Sequence, residues 1–267
     1  MSGSSGSRGE AVRIPSTDGV ELDAHLAVPD VDTPVPTGTG VIFSHGFPSG
    51  DVWAERIGGD LPELADRAAE TLGWSALALR FRGCGTSTGD FSLGGWIDDL
   101  AAAIDYLDRD SEPTQIWLCG FGTGGAISIV RAAVDDRVNG VSVAGSPADF
   151  NDWAANPNRL LAHAKRVGAI TDASMFADSD EWRAQLRDVS AVEAAESLPP
   201  KPMLVLHGSE DELVPHFDAR VLADAHGSAD LRFIAGGGHL LRHDPRAMAV
   251  LFGWLARQQA ALVTAES

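Results

Sequence analysis

Short apolar runs recur along the chain, and amphipathic segments separate most of them. The runs are continuous rather than alternating, which is typical of strands buried on both faces in a parallel sheet. In chain order they occupy residues 41–43, 75–79, 116–119, 141–144, 203–206 and 231–234. The segment from about residue 11 to about residue 28 alternates more, and it predicts an antiparallel hairpin at the edge of the sheet.

The amphipathic segments predict helices. One begins at Asp60, with Glu63 three residues later in the pattern of a capping box. A second has apolar residues at helical spacing within 97–107, and a third begins at Asp244–Pro245, a cap followed by proline in the first turn. Alternation of strand and helix predicts right-handed crossovers with helices on both faces of the sheet, an α/β architecture.

One long segment, residues 147–200, interrupts this alternation because it is helical in pattern and holds no clear strand. We expect it to form a small helical cap over the strand ends, inserted into a core made of residues 11–146 and 201–267. A pair of packing helices with no role in binding is the alternative interpretation. Residues 1–10 predict a flexible tail without the apolar core of a secretory signal.

Composition and charge narrow the classes of function. The 267 residues are 44% hydrophobic and 22% charged, as in an ordinary soluble domain with a well-filled core. The net charge of −18 repels phosphate backbones and anionic lipids, so we expect neither nucleic acid nor a membrane surface as a partner. Cys84 and Cys119 form no CxxC motif, which predicts reduced thiols and a cytoplasmic location.

Four loops that follow predicted strands carry residues with catalytic chemistry. They read FSHGFPSG at 43–50, GFGTGG at 120–125, LHGSEDELVP at 206–215 and IAGGGHLLRHDP at 234–245. The carboxyl ends of parallel strands meet at one edge of a sheet, and the loops there converge on one crevice. The sequence therefore predicts that these four loops build a common site.

The order of these motifs makes the chain resemble the α/β-hydrolase superfamily from about residue 11 to about residue 260, in particular its esterase-, lipase- and dienelactone-hydrolase-like members. The resemblance implies Asp211 as the catalytic acid and His239 as the catalytic histidine. It also implies that the backbone N–H groups of Phe47 and Thr123 form an oxyanion hole. The fold implied is a mostly parallel central sheet flanked by helices, with a small helical cap.

The chain departs from that family at the nucleophile. Gly122 stands in the middle of the turn where the family has the serine of G-x-S-x-G. Glycine relieves the backbone strain of such a turn but carries no hydroxyl group. The acid, the histidine and the oxyanion hole are therefore expected without a covalent nucleophile at position 122.

Other residues offer weaker nucleophiles. Thr123 would need a one-residue shift of the turn, which puts the bulky Phe121 where a small residue is required. Cys119 lies within a predicted buried strand, where thiols are inert, and Cys84 lies in the RGCGTS loop, which is a supporting loop in the family. Ser146, after the next strand, is either a replacement nucleophile or a simple turn residue.

The sequence leaves two functions open. In the first, the protein is a hydrolase in which His239, oriented by Asp211, activates water against an ester, lactone or similar carbonyl compound and needs no cofactor. In the second, it is an inactive pseudohydrolase that binds a small apolar ligand or a protein partner. In either case we expect Trp153, Leu160 and Leu161 of the predicted cap to contact the bound molecule.

Two further readings are weaker. The glycines at 120–125 also fit G-x-G-x-x-G, with Asp149 near the distance expected for a dinucleotide site, but the other three loops then have no explanation. His239 and His243 have the i, i+4 spacing of metal ligands, yet Leu240 stands where a metalloprotease has its glutamate. We therefore expect neither a dinucleotide nor a metal.

Overall fold

An eight-stranded sheet runs through the part of the chain that the structure describes. The computed structural model describes residues 9–30, 38–49, 53–172 and 179–265, with side chains up to residue 260. The strands are β1 (Glu10–Pro15), β2 (Glu21–Ala27), β3 (Thr39–Ser44), β4 (Ser75–Arg80), β5 (Gln115–Phe121), β6 (Val138–Ala144), β7 (Met203–Gly208) and β8 (Asp230–Ile234). The predicted tail falls mostly outside the described residues and stays a prediction.

The strand order across the sheet is β1-β2-β4-β3-β5-β6-β7-β8. Strand β2 pairs antiparallel with β1 and β4, and strands β3 to β8 are parallel to one another. The predicted edge hairpin and the mostly parallel sheet are both confirmed. In the middle of the sheet, Ile42 lies opposite Leu77 on β4 and Leu118 on β5, which is why these apolar runs are continuous.

Helices cover both faces of the sheet. They are α1 (Leu61–Leu72), α2 (Leu93–Ser111), α3 (Thr123–Val134), α4 (Asn151–Ala155), α5 (Pro157–Val167), α6 (Asp180–Asp188), α7 (Ala191–Glu196), α8 (His216–His226) and α9 (Pro245–Ala265). Val41 and Phe43 of β3 share one apolar core with α1 and α9, whereas Ile42 belongs to a second core with α2, α3, α7 and α8. Successive strand residues point to opposite faces, so each strand supplies both cores.

Within the described ranges, no helix is both long enough and apolar enough to cross a membrane.

The start of α1 differs from the prediction. The helix begins after Asp60, but the Asp60 side chain accepts no hydrogen bond from it, so the predicted capping box is wrong. Instead the carboxylate accepts a hydrogen bond from Arg242 Nε at 2.6 Å and lies 3.4 Å from His243 Nε2. A charge-assisted hydrogen bond to a guanidinium is stronger than one to a backbone amide, and here it ties α1 to the turn that follows His239.

Helices α4 to α7 lie between β6 and β7, in the segment predicted as a cap. Helix α7 packs against α3 and α8, so it belongs to the layer of helices on the sheet. Helix α4 contacts α5 and α6, and α6 contacts α2. The boundaries at residues 147 and 200 stay a prediction, and it is α4 and α5 that reach the cavity described below.

Candidate active site

A sharp turn between β5 and α3 forms the centre of the site. Gly122 has φ 54° and ψ −128°, a backbone conformation that residues with a Cβ rarely adopt. Its N–H donates to the carbonyl of Ala144 at 2.9 Å, and its own carbonyl accepts from the N–H of Gly125 at 3.0 Å. The strand–turn–helix geometry that exposes a nucleophile in hydrolases is therefore present, with glycine at its tip.

Space remains for a side chain at the tip of the turn but not beside it. A Cβ on Gly124 would overlap the carbonyl of His45. A Cβ on Gly122 would meet Gly46 Cα at 3.4 Å and His239 Nε2 at 3.5 Å, which are ordinary contacts. Packing therefore requires glycine at position 124, whereas at position 122 only the backbone conformation favours it.

The predicted acid and histidine lie together. His239 Nδ1 donates to Asp211 Oδ2 at 2.9 Å, and the Asp211 side chain is fully buried. The other oxygen, Oδ1, accepts from the N–H groups of Leu213 at 2.9 Å and Val214 at 3.0 Å. His207 Nε2 donates to the carbonyl of Val214 at 3.0 Å and lies 3.3 Å from Asp211 Oδ2. Asp211 thus accepts three hydrogen bonds and has His207 as a close neighbour.

These donors keep Asp211 ionised. Burial alone would raise the pKa of this carboxyl, but the close contact with His207 and the hydrogen bonds from His239 and the N–H of Val214 outweigh burial and hold the pKa well below its usual range. The carboxylate fixes the proton of His239 on Nδ1, which leaves the Nε2 lone pair on the side of Gly122. His239 therefore has the tautomer and the orientation of a general base.

The loop after β3 packs directly against the turn. His45 Nδ1 donates to the carbonyl of Gly46 at 2.8 Å, and its Nε2 accepts from the N–H of Phe81 at 3.1 Å. Burial lowers the pKa of His45 to about 4, so the ring is neutral and its role is to hold the loop. Phe47 and Thr123 both line the adjoining cavity, and no acceptor among the described residues takes either backbone N–H.

A cavity of about 490 Å³ opens onto Gly122 and His239. Its aromatic wall combines Phe47 with Trp153 at 5.3 Å between ring centroids, and Trp153 with Phe150 at 5.1 Å. The predicted contact residue Trp153 is among the lining residues. The volume and the mixture of apolar rings with a few polar groups are typical of a small-molecule site.

Leu160 and Leu161 are not among the residues that line this cavity, and their predicted contact with a bound molecule stays a prediction. Leu160 is buried in the core, and Leu161 packs partly buried against the same core. The physical reason is the orientation of α5, which buries Leu160, Ala164 and Val167 along one stripe and presents His163 to the cavity instead.

A second, much smaller cavity of about 20 Å³ lies beside Gly122 and His239, and Gly46, Phe47 and Ser49 also line it. A single water molecule needs roughly 10–15 Å³ and two or more polar partners. The Nε2 atom of His239 and nearby backbone groups supply such partners. The space next to the missing side chain is therefore large enough for one water molecule.

The alternative nucleophiles are poorly placed. Ser146 is buried and does not line the large cavity. Its Oγ packs against Gly125 so closely that a Cβ on Gly125 would overlap it. Cys84 and Cys119 are buried free thiols, and burial raises the pKa of both far above the usual value. A protonated, buried thiol is inert. Thr123 reaches the cavity but stands one position beyond the tip of the turn.

Carboxylates give the large cavity a negative charge. Asp149, Asp152 and Asp218 line it, and no lysine or arginine does so among the residues the structure describes. Asp218 Oδ2 accepts from the N–H of Ala148 at 3.1 Å. Burial, and then repulsion by Asp149 and Asp152, raise the pKa of Asp218 against the effect of that hydrogen bond.

Some residues of the site carried no readable signal in the sequence. His207 appeared only as part of a loop motif, yet its Nε2 lies 3.3 Å from Asp211 Oδ2. Gly145 has φ 61°, and a Cβ there would stand 3.3 Å from Asp211 Oδ2, so a side chain would press on the acid. Its position directly after β6 was the available signal. His163 and Asp218 lie on helices without any motif.

A sequence profile of the Alpha/beta hydrolase family matches residues 41–251. The uncharacterised protein YfhR of Salmonella typhimurium is 30% identical over 168 residues, which cover 60% of this chain and 53% of YfhR. The chain thus spans about half the length of that relative.

Solved structures share the architecture. Est1E from Butyrivibrio proteoclasticus superposes with a TM-score of 0.69 at 20% identity, covering 94% of this chain and 99% of Est1E. An esterase from Pyrococcus furiosus superposes with a TM-score of 0.67 at 18% identity, covering 95% of this chain and 91% of the esterase. At these identities the likeness shows the fold alone.

The buried carboxylate predicts a pH dependence of stability. Because the pKa of Asp211 is depressed in the folded protein, the carboxylate stabilises the fold above the unfolded value of about 4, and the contribution declines as the pH falls below it. We expect Asp211→Asn to lower the free energy of unfolding by about 1–3 kcal/mol at neutral pH, with the difference from wild type shrinking in acid. Denaturant unfolding across this pH range measures it.

The exposed Asp98→Asn on α2 is the control for this experiment. Unfolding free energies of wild type and Asp211→Asn that run parallel down to acidic pH would contradict the assigned hydrogen bonding of Asp211.

Proposed function

Because this chain belongs to the Alpha/beta hydrolase family, we propose that it hydrolyses an ester, a lactone or a similar carbonyl compound without a covalent serine step. The observation that carries the proposal is the position of His239 Nε2, 3.5 Å from the place where a Cβ at Gly122 would stand. Asp211 holds the other side of the same ring. A cavity large enough for one water molecule adjoins both Gly122 and His239.

The proposed reaction begins with general-base catalysis. His239 Nε2 takes a proton from the water molecule as its oxygen attacks the carbonyl carbon of the substrate. The carbonyl oxygen becomes an oxyanion that accepts hydrogen bonds from the N–H groups of Phe47 and Thr123. The C–O bond to the leaving group then breaks, and His239 returns the proton to the departing oxygen. The products are a carboxylic acid and an alcohol, while Asp211 stays ionised.

The missing serine limits the expected rate. In serine proteases that have lost a triad member, the oxyanion hole and substrate binding still accelerate hydrolysis about 10³- to 10⁴-fold over water. An acceleration of that size is measurable with activated esters. We therefore expect the natural substrate to be an activated or strained carbonyl compound.

The residues that line the large cavity restrict the charge of the substrate. Asp149, Asp152 and Asp218 oppose an anionic group, and the rings of Phe47 and Trp153 accept an apolar or cationic one. We therefore propose a neutral or cationic substrate. We also propose that the protein is cytoplasmic, in keeping with the two buried free thiols.

A pseudohydrolase is the second candidate. The specific observation in its favour is Gly122, since the turn has the backbone conformation of a nucleophile-bearing turn but no reactive group. In that case the cavity of about 490 Å³ binds a small apolar ligand against its aromatic wall, or the fold presents a surface to a protein partner, and no bond is broken. The catalytic experiments below separate the two functions.

We expect wild type to hydrolyse short-chain activated esters and His239→Ala to lose at least about 10²-fold in kcat/KM, because the mutant has no general base. Initial rates over a panel of such esters measure this. The control is His216→Ala, which removes an exposed histidine at the start of α8 outside the cavity. Equal, background-level rates for wild type and His239→Ala would favour the pseudohydrolase.

We expect Gly122→Ser to hydrolyse the same esters at least about tenfold faster than wild type, because a serine Cβ fits 3.5 Å from His239 Nε2 and its Oγ comes within reach of that nitrogen. The variant should accumulate an acyl-enzyme, which a mass increase of the intact protein detects. Gly122→Ala is the matched control, since it carries the same backbone strain of about 1–3 kcal/mol without a hydroxyl. A folded Gly122→Ser without acylation would contradict the assembled site.

We expect esters with one common leaving group to react in the order cationic, neutral, anionic, according to the charge on their acyl group. The ratio of kcat/KM between the cationic and the anionic ester should be about tenfold and should fall with added salt. Asp218→Asn should reduce that ratio, because it removes one of the lining carboxylates. If Asp218→Asn leaves this ratio of kcat/KM unchanged, the negative charge of the cavity is not the cause of the preference for cationic esters.

A further inference from the structure

His163 occupies an unexpected position at the site. It lies on α5, in the segment between β6 and β7, and its side chain lines the large cavity together with Gly122 and His239. Its ring lies 5.8 Å from that of Phe47, measured between centroids. The loop after β3 thus meets a histidine supplied by a helix more than a hundred residues later in the chain.

Two hydrogen bonds fix the orientation of this ring. His163 Nε2 lies 2.8 Å from the carbonyl of Pro48, and because a carbonyl only accepts, Nε2 carries the proton and donates. The guanidinium of Arg166 donates from Nη2 to His163 Nδ1 at 3.0 Å. Both ring nitrogens are therefore engaged, and the imidazole spans from α5 to the backbone of the loop.

The anchored carbonyl belongs to the residue after Phe47. The Phe47 ring is held in turn by Phe91 at 4.5 Å and by Trp153 at 5.3 Å. Proline has no N–H, so Pro48 cannot anchor this part of the loop by donating a hydrogen bond itself. Through its carbonyl, Pro48 is held by α5.

We propose that His163 is a positioning residue that holds the Phe47–Pro48 backbone, and with it the Phe47 N–H, where the oxyanion of the substrate forms. This inference rests on the proposed function, because it assigns a further residue to the same oxyanion hole. Small displacements of an oxyanion donor reduce catalysis, because such a donor acts only at hydrogen-bond distance from the oxyanion. His163 therefore acts through Phe47 and not on the substrate.

The test compares His163→Phe with His163→Gln. Phenylalanine keeps a ring beside Phe47 but has no donor, whereas the glutamine amide still donates to the carbonyl of Pro48. We expect His163→Phe to lower kcat for activated esters about tenfold or more with KM changed less than about threefold, and His163→Gln to recover most of the loss. Arg159→Ala, an exposed change on the same helix, is the control and should match wild type.

An unchanged kcat in His163→Phe would overturn the inference, and so would an equal loss of kcat in both variants. A rise in KM alone would also overturn it, because His163 would then be only a cavity wall. His163→Phe and His163→Gln, made in the Gly122→Ser background, separate this inference from the proposed function. If wild type is inactive, a reaction through the serine still uses the same oxyanion hole, so the effect of His163 can still be measured. If neither the wild-type nor the Gly122→Ser background hydrolyses the esters, the NMR resonance of the Phe47 backbone amide tests the inference instead. The inference then requires this resonance to shift in His163→Phe but not in His163→Gln.

Discussion

Two backbone segments approach each other so closely that side chains are excluded between them, and the rest of the site depends on this contact. A Cβ on Gly46 would lie 3.0 Å from the carbonyl of Phe121 and 3.5 Å from the N–H nitrogen of Thr123. The buried, neutral ring of His45 fixes the loop on one side of the contact. The contact brings the N–H groups of two distant loops to one cavity, where their donor geometry is set before any ligand binds.

The absence of a side chain at position 122 leaves the rest of the site in place. Gly122 keeps the dihedral angles of the turn, and the histidine and acid keep their mutual hydrogen bond. A buried carboxylate costs free energy unless several donors satisfy it, and the hydrogen bonds to Asp211 meet that requirement. A base oriented toward a water-sized space is what remains, and hydrolysis by activated water is the chemistry that this arrangement supports best.

The segment between β6 and β7 supplies part of the lining of the site. It supplies the aromatic and acidic lining of the large cavity through Phe150, Trp153 and Asp149, and it reaches back to the loop after β3 through His163. The same segment therefore lines the large cavity and contacts the loop that carries Phe47. In this segment α4 carries Trp153 of the lining and α5 carries His163.

The sequence by itself determined the succession of strands and helices along the chain and the four loops that follow strands, because apolar periodicity and glycine-rich turns are local properties. Asp211, His239 and Gly122 were readable from motifs within single loops. Only the tertiary structure decided that Asp60 does not cap α1, that Leu160 and Leu161 are not among the lining residues of the large cavity, and that His163 is one of them. Each depends on which face a helix turns toward a distant partner, and that orientation is set by packing between elements far apart in the chain.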